Sequence, residues 1–202
     1  MREVRSNPSF EARPNGKPPG PGRWHGYIIT GPGLASYRRS RLNSNVRQHM
    51  GSIADLVTLR EISADTVRAV VKLSVAESQT RFVASNSVSL AQALFSPEAW
   101  YRAIYLGEDP VGFVMLSDDS MLEPTPQNPE VGVWRFMVDA RHQRRGIGRA
   151  AMLLVIEHVR RKGIFRKLEL SYVPGEGGPE QLYLSLGFRP TGRVNEGEVV
   201  SA

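Results

Sequence analysis

Gln143-Arg144-Arg145-Gly146-Ile147-Gly148 lies between an apolar stretch, Val131 to Val138, and the longest helical pattern in the chain, Gly146 to Lys162. Its two glycines let the backbone approach a ligand closely and turn N–H groups toward it. A helix that starts here adds unsatisfied donors and a partial positive charge, which together make an anion site. Arg141, Arg144, Arg145 and Arg149 raise the local positive potential, so a pyrophosphate is the natural guest. A tight glycine turn beneath a solvated basic face would carry the same letters.

Outward from that loop, Val131 to Val138 reads as a buried strand. Downstream, Ile147, Ala150, Ala151, Leu154, Val155 and Val159 recur at helical spacing, Arg160 to Lys162 suit the negative helix end, and Gly163 can terminate it. Lys167 to Val173 is a further strand, Pro179 to Leu186 a short helix, and Gly187-Phe188 leads into a last strand pair. Upstream, Leu56 to Ile62 alternates as a strand. Ser63 and Asp65 can cap a helix with Val67, Val70, Val71 and Leu73 on its apolar face. A second helix after Ser87 or Ser89 uses Leu90, Ala93 and Leu94 and stops before Pro97. Tyr101 to Leu106 and Val111 to Leu116 form a hairpin about Gly107-Glu108-Asp109-Pro110, and Asp118 to Pro129 is a loop. The order β-α-α-β-β-β-α-β-α-β predicts one α/β (α+β) domain over 56–202, with a mixed, mostly antiparallel sheet that splays between flanking helices.

Residues 1–55 are different. They are rich in Pro, Gly, Arg and Asn, show no sustained period, and are expected to be a disordered basic leader. An upstream mis-start before Met50, a basic interaction tail and a transit peptide are three readings of it. Nine of the 26 Lys/Arg but three of the 20 Asp/Glu fall there, which leaves 17 of each in 56–202. The folded part is neutral, so the pI near 10 gives it no nucleic-acid surface. With no cysteine there is no disulfide, no Cys-bound zinc and no thiol nucleophile. The four histidines (25, 49, 142, 158) lack metal-ligand spacing, and no metal is expected. No apolar run approaches a membrane span, and the expected place is the cytoplasm.

A rival fingerprint overlaps the loop. Gly146 to Ala151 matches G-x-G-x-x-A, with Glu169 near the place of a ribose-binding acid. Context excludes it: Asp139 to Arg145 separate the strand from the first glycine, and too little chain follows Glu169 to complete a parallel sheet.

Val138-Asp139 followed by Gln143-x-x-Gly146-x-Gly148 resembles the acetyl-CoA signature Q/R-x-x-G-x-G/A of the GNAT superfamily of N-acetyltransferases. Tyr183-Leu184-Ser185-Leu186-Gly187-Phe188 is similar to its second hallmark, Y-x-x-x-G-F, 40 residues downstream. The resemblance covers roughly residues 57–200. Trp134 to Asp139, Phe82-Val83-Ala84 and Gly112-Phe113 resemble, more narrowly, bacterial spermine/spermidine acetyltransferases.

The resemblance implies acetyl-CoA as co-substrate. It gives Phe136 and Val138, with Met137 between them, main-chain contacts to the pantetheine arm, and Gln143, Arg144, Arg145, Gly146, Ile147, Gly148 and Arg149 the pyrophosphate. A main-chain N–H near Val138 would polarise the thioester carbonyl. Tyr183 is the expected proton donor to the departing sulfur, although a core aromatic beside Leu182, Leu186 and Phe188 would look alike. Relatives often carry an acid where Trp134 stands; Glu130 at that strand's start is the expected base, Glu77 after the first helix could serve through water as well, and bulk solvent could suffice. Asp118, Asp119 and Glu123 can attract a polycation. The Asn that relatives often place before the tyrosine helix is missing from Pro174 to Pro179. Direct attack by the amine follows from the lack of a thiol; the resemblance implies a small primary amine as acceptor, polyamines first. Protein or peptide amines, amine antibiotics, a non-catalytic acyl-CoA-binding module and a homodimer stay open.

Overall fold

The computed structural model describes residues 53–195 and 197–202; the leader's expected disorder therefore falls almost wholly outside the described residues. Seven strands form one sheet in the order β1-β2-β3-β4-β5-β7-β6. They are β1 (Val57–Arg60), β2 (Ala99–Leu106), β3 (Asp109–Asp118), β4 (Val131–Val138), β5 (Glu169–Tyr172), β6 (Pro190–Asn195) and β7 (Glu198–Ser201). The helices are α1 (Ile53–Leu56), α2 (Val67–Val71), α3 (Asn86–Ala93), α4 (Ile147–Lys162) and α5 (Glu180–Leu186). Every pairing is antiparallel except β4–β5. The fold is the mixed, splayed α/β arrangement expected from the sequence.

β3 explains why the sheet can be covered on both faces. Its Val114 and Leu116 pack toward α4 with Ile104, Ile147, Ala151, Met152, Val155 and Leu170. Phe113 and Met115 face the other way, toward α2, with Val70, Leu73, Tyr105 and Met137. A strand buried on both faces loses its polar alternation and reads as a continuous apolar run, as Val111 to Leu116 does. Each fully buried aliphatic side chain contributes about 1.5–3 kcal/mol.

Gly112 fixes the spacing of β3 and β4 near the site. A β-carbon there would stand 2.5 Å from the Met137 carbonyl oxygen, so no other residue permits this approach. The β2–β3 turn is tighter than expected: Gly107 and Glu108 make it, and Asp109 and Pro110 already belong to β3. A bulge between Ile104/Tyr105 and Gly112/Pro110 accommodates the proline, which has no N–H to give.

The small helices depart most from expectation. α2 has five residues, and neither Ser63 nor Asp65 caps it with a side chain; the Ser63 carbonyl accepts from the Thr66 and Val67 amides instead. With so short a helix, Val71 ends 37% exposed. Ser85, not Ser87 or Ser89, caps α3 by accepting from Val88 N–H at 3.4 Å, and Leu94 lies beyond the helix, 79% exposed. β4 has the expected bounds but not the expected burial: Gly132 to Phe136 are half-buried. The reason lies on its β5 side.

Candidate active site

β4 loses its neighbour halfway along. Its parallel pairing with β5 comprises Gly132↔Glu169 and Val133↔Leu170. The next residue, Trp134, is the extra one in a bulge, because Met115 pairs with Arg135 while Leu116 pairs with Val133. Bulges bend the strand that carries them and can end pairing, and here the sheet opens where the bulge falls. On its β3 side the ladder continues: Met137 stands opposite Phe113, and Asp139 N–H donates to Val111 C=O at 2.8 Å. By the two-residue alternation Met137 spends its backbone groups on β3, so those of Phe136 and Val138 face the opening. Met137 is thus a spacer, its side chain buried on the α2 side with Asn86 Nδ2 at 3.7 Å from its sulfur.

Asp139 ties the end of β4 to the loop. Its carboxylate accepts from Ser74 N–H at 3.1 Å, Arg141 N–H at 3.1 Å and Arg141 Nε at 2.8 Å. Burial alone would push this carboxyl up; the Arg141 guanidinium and the Ser74 and Arg141 amides outweigh it and hold it down at about 2. Gln143 Nε2 then donates to Val138 C=O at 2.9 Å and to Gln79 Oε1 at 2.8 Å. Gln79 Nε2 in turn donates to Gly177 C=O at 3.1 Å, so one side chain links the loop to the segment before α5.

Between Gln143 and α4 the backbone turns left-handed twice, at Arg144 (φ 59) and Gly146 (φ 80). Gly146 supplies the helix N-cap position without a side chain, and the space around its Cα is open. Ile147 is fully buried and anchors the first turn, leaving its N–H to the loop. Gly148 stands near Phe136 and Val138 of the opening and Leu182 of α5, its position clear of any contact closer than 3.5 Å. Arg144 and Arg145 are exposed at the loop. Arg149 is turned elsewhere: its Nη1 donates to Ser185 C=O and Oγ, bracing α4 against α5.

Tyr183, on α5, is 5% exposed, its ring 5.7 Å from Tyr172 and 6.0 Å from Phe188 between centroids. Burial, with the Glu198 carboxylate second, pushes its phenol above the ordinary range. Its hydroxyl therefore stays protonated over all physiological pH.

Glu130 lies away from these groups. It precedes β4, six residues before Phe136, which is about 20 Å of strand. Its N–H donates to Asp119 Oδ2 at 3.0 Å, and burial first, then Glu169, raises its carboxyl. Asp118 is not a free acid for a polycation: it is 1% exposed and holds Lys162 Nζ at 2.7 Å. Glu77 is exposed in a 3-10 turn. Among the described residues no group of His, Asp or Glu could hold a metal, and no helix is long and apolar enough to cross a membrane.

The residues that sequence reading passed over are Asp139, Gln79 and Glu198. Asp139 carried a signal, an acid at the end of an apolar strand followed two residues on by Arg141. Gln79 and Glu198 carried none: a 3-10 turn brings Gln79 to the loop from 64 residues before Gln143, and strand pairing places Glu198 beside β5 from 55 residues after it.

With its half-unpaired central strand running into a left-handed loop at a helix N-terminus, the chain matches the model of the Acetyltransferase (GNAT) family over residues 69–188; it belongs to that family. It is a GNAT-type N-acetyltransferase. It is 26% identical over 142 residues to the spermine/spermidine N(1)-acetyltransferase of Bacillus subtilis (strain 168), covering 69% of this chain and 91% of that protein. The ribosomal-protein-S18-alanine N-acetyltransferase of Escherichia coli shares its fold at TM-score 0.52 and 17% identity, over 72% of this chain and 91% of that one. So does a PaiA N-acetyltransferase of Thermoplasma acidophilum in complex with coenzyme A, at TM-score 0.53 and 11% identity, over 72% and 96%.

Proposed function

We propose that this chain transfers the acetyl group of acetyl-CoA to a primary amine of a small molecule, polyamines preferred, by direct attack. The observation that carries it is the opening in β4 from Trp134 to Val138, which leads straight into the left-handed loop at the start of α4. The residues present suit the coenzyme. Phe136 offers its backbone N–H and C=O, and Val138 its N–H, to an extended amide-bearing arm, as a missing strand would, while the Val138 C=O is held by Gln143 Nε2. The amides from Arg144 to Gly148 offer convergent donors to a diphosphate at the positive end of a 16-residue helix. Acetyl-CoA, when bound, supplies an activated acyl carbonyl with a thiolate leaving group.

Tyr183 is the donor we assign to that leaving group. A phenol raised by burial is a weak acid at rest, yet it is a fully protonated hydrogen-bond donor whose partner would be a thiolate of pKa about 8.5. The proton moves only as negative charge gathers on sulfur. No cysteine is present to form an acetyl-enzyme, so one attack completes the transfer.

Support for a polyamine comes from the Bacillus relative, named for spermine and spermidine. A protein N-terminus is the second reading, favoured by the Escherichia fold neighbour. Free-thiol release from acetyl-CoA over an amine panel tests both. Spermidine and spermine should outpace an alanine-terminated peptide by at least tenfold in kcat/KM; the reverse order would replace the polyamine reading with the peptide one. Calorimetry with CoA tests the cofactor separately, and no heat with well-folded protein would remove the whole reading.

A further inference from the structure

The opening beside β4 has a second wall. β7 pairs with β5 through Leu170↔Ser201, Ser171↔Val200 and Tyr172↔Val199. Glu198 therefore stands one step past this ladder, at the end of β5 that β4 has already left. Leu170 and Tyr172 pack into the core under α4, so Ser171 between them points to the other side of the sheet. There the Ser171 hydroxyl donates to Glu198 Oε2. The bulge places Trp134 and Arg135 on that same side, with Arg135 Nη2 donating to Gln92 Oε1 of α3 at 3.2 Å. On the α4 side of the same opening, Tyr172, which is paired with Val199, touches Tyr183.

We propose that Glu198 receives the acceptor amine, holding its ammonium group and taking its proton. The inference rests on the acetyl-transfer reading above. Ser171 of β5 donates to this carboxylate, which stands opposite Asn195 in the β6–β7 hairpin, on the face of the opening that carries Trp134 and Arg135. Its charge acts on both the Tyr183 phenol and the Arg135 guanidinium, which no other described carboxylate does. Glu130, by contrast, interacts with Glu169, Lys167, Asp119 and Arg193, all toward the closed end of β4. Among the described residues no cation comes within ion-pair distance of Glu198, and Ser171 supplies its one described hydrogen bond. An ammonium is the group that would complete it.

The proton balance is simple. R–NH3+ gives one proton to Glu198, and the freed lone pair forms the C–N bond to the acyl carbon as the C–S bond breaks. The sulfur takes the Tyr183 proton, the nitrogen's second proton restores the phenol, and Glu198 releases its own to solvent. The sum is one amide, one free thiol and one proton.

Glu198→Gln keeps the size and the acceptor for Ser171, so it should melt like the wild type. Near pH 7 its kcat/KM for a polyamine should fall about 100-fold, the scale of a lost general base. The loss should shrink as pH rises toward the amine pKa, where solvent already supplies the free base, so the variant's rate keeps climbing after the wild type levels. Glu198→Ala should recover part of its rate with added formate. Calorimetric binding of spermidine to the CoA-loaded protein should weaken at least tenfold in both variants, while CoA binding stays unchanged. Rates within threefold of wild type across pH, with unchanged spermidine binding, would overturn the assignment. A wild type that binds CoA and spermidine but releases no thiol would overturn the transfer reading instead, leaving the binding comparison to judge Glu198.

Discussion

The two halves of β4 face opposite fates within eight residues. From Val131 to Val133 the strand is held on both sides, by β3 and by β5, and charged groups crowd its start: Glu130, Asp119, Glu169 with Lys167 and Arg193. From Trp134 to Val138 it is held by β3 alone and runs into Asp139 and the loop. The sealed half contributes stability, and the open half contributes unsatisfied backbone, which is what a ligand shaped like a strand can use. The bulge at Trp134 is the boundary. Sequence composition differs little across it; pairing does.

If the open half carries the chemistry, the largest effect should come from the group that faces the leaving sulfur. Tyr183→Phe removes one oxygen from a buried ring and should leave CoA affinity within threefold, while turnover falls about 100-fold or more. Thiol release and calorimetry measure the two sides. Equal loss of affinity and turnover would mean that the ring is a packing residue. The next effect is Gly146→Val. The φ of 80 costs a β-branched residue of order 1–2 kcal/mol, and relaxing it turns amides away from the diphosphate. CoA should bind about tenfold more weakly, with a small drop in melting temperature. Unchanged affinity would show that the loop's amides do not hold the phosphates.

Much of this was legible beforehand. The left-handed loop and α4 announced themselves through Gly146, Gly148 and a helical period that ends at Gly163, all local features. β2, β3 and β4 could be read because strand periods and turn residues are local too. What could not be read depended on pairing. Nothing in Trp134 or Arg135 marks a bulge, because the extra residue is defined by its partner, Met115. Glu130 could be read as a base at the start of the strand that carries Phe136; the structure places it among Asp119, Lys167, Glu169 and Arg193, about 20 Å of strand from Phe136. Glu198 became visible when β7 inserted between β5 and β6, an order no run of letters specifies.

Asp139 probes how the open half is anchored. Its folded pKa, about 2, lies below the ordinary carboxyl value of 3.8, so its contribution is present above pH 4 and is lost as pH falls through about 2. Asp139→Asn should cost about 2 kcal/mol at neutral pH, the upper scale of that shift given that Arg141 is exposed. The gap between variant and wild type in chemical denaturation should narrow between pH 4 and pH 2. A gap that does not change with pH would mean that the carboxylate's shape, not its charge, holds the loop.

The sealed half should respond with the opposite sign. Glu130 has its carboxyl raised, by burial first and by the Glu169 charge next, so the charged form carries a penalty at neutral pH that protonation relieves as pH falls below its folded value. Glu130→Gln removes that penalty while its backbone bond to Asp119 stays in place. Stability at pH 7 should be unchanged or raised, within about 1 kcal/mol, and the difference should vanish toward pH 4. Turnover should change less than threefold, since the side chain sits among Asp119, Lys167, Glu169 and Arg193 and not beside Tyr183. A drop of tenfold or more with stability intact would return the base to the sealed end and erase the division of β4 into a structural and a chemical half.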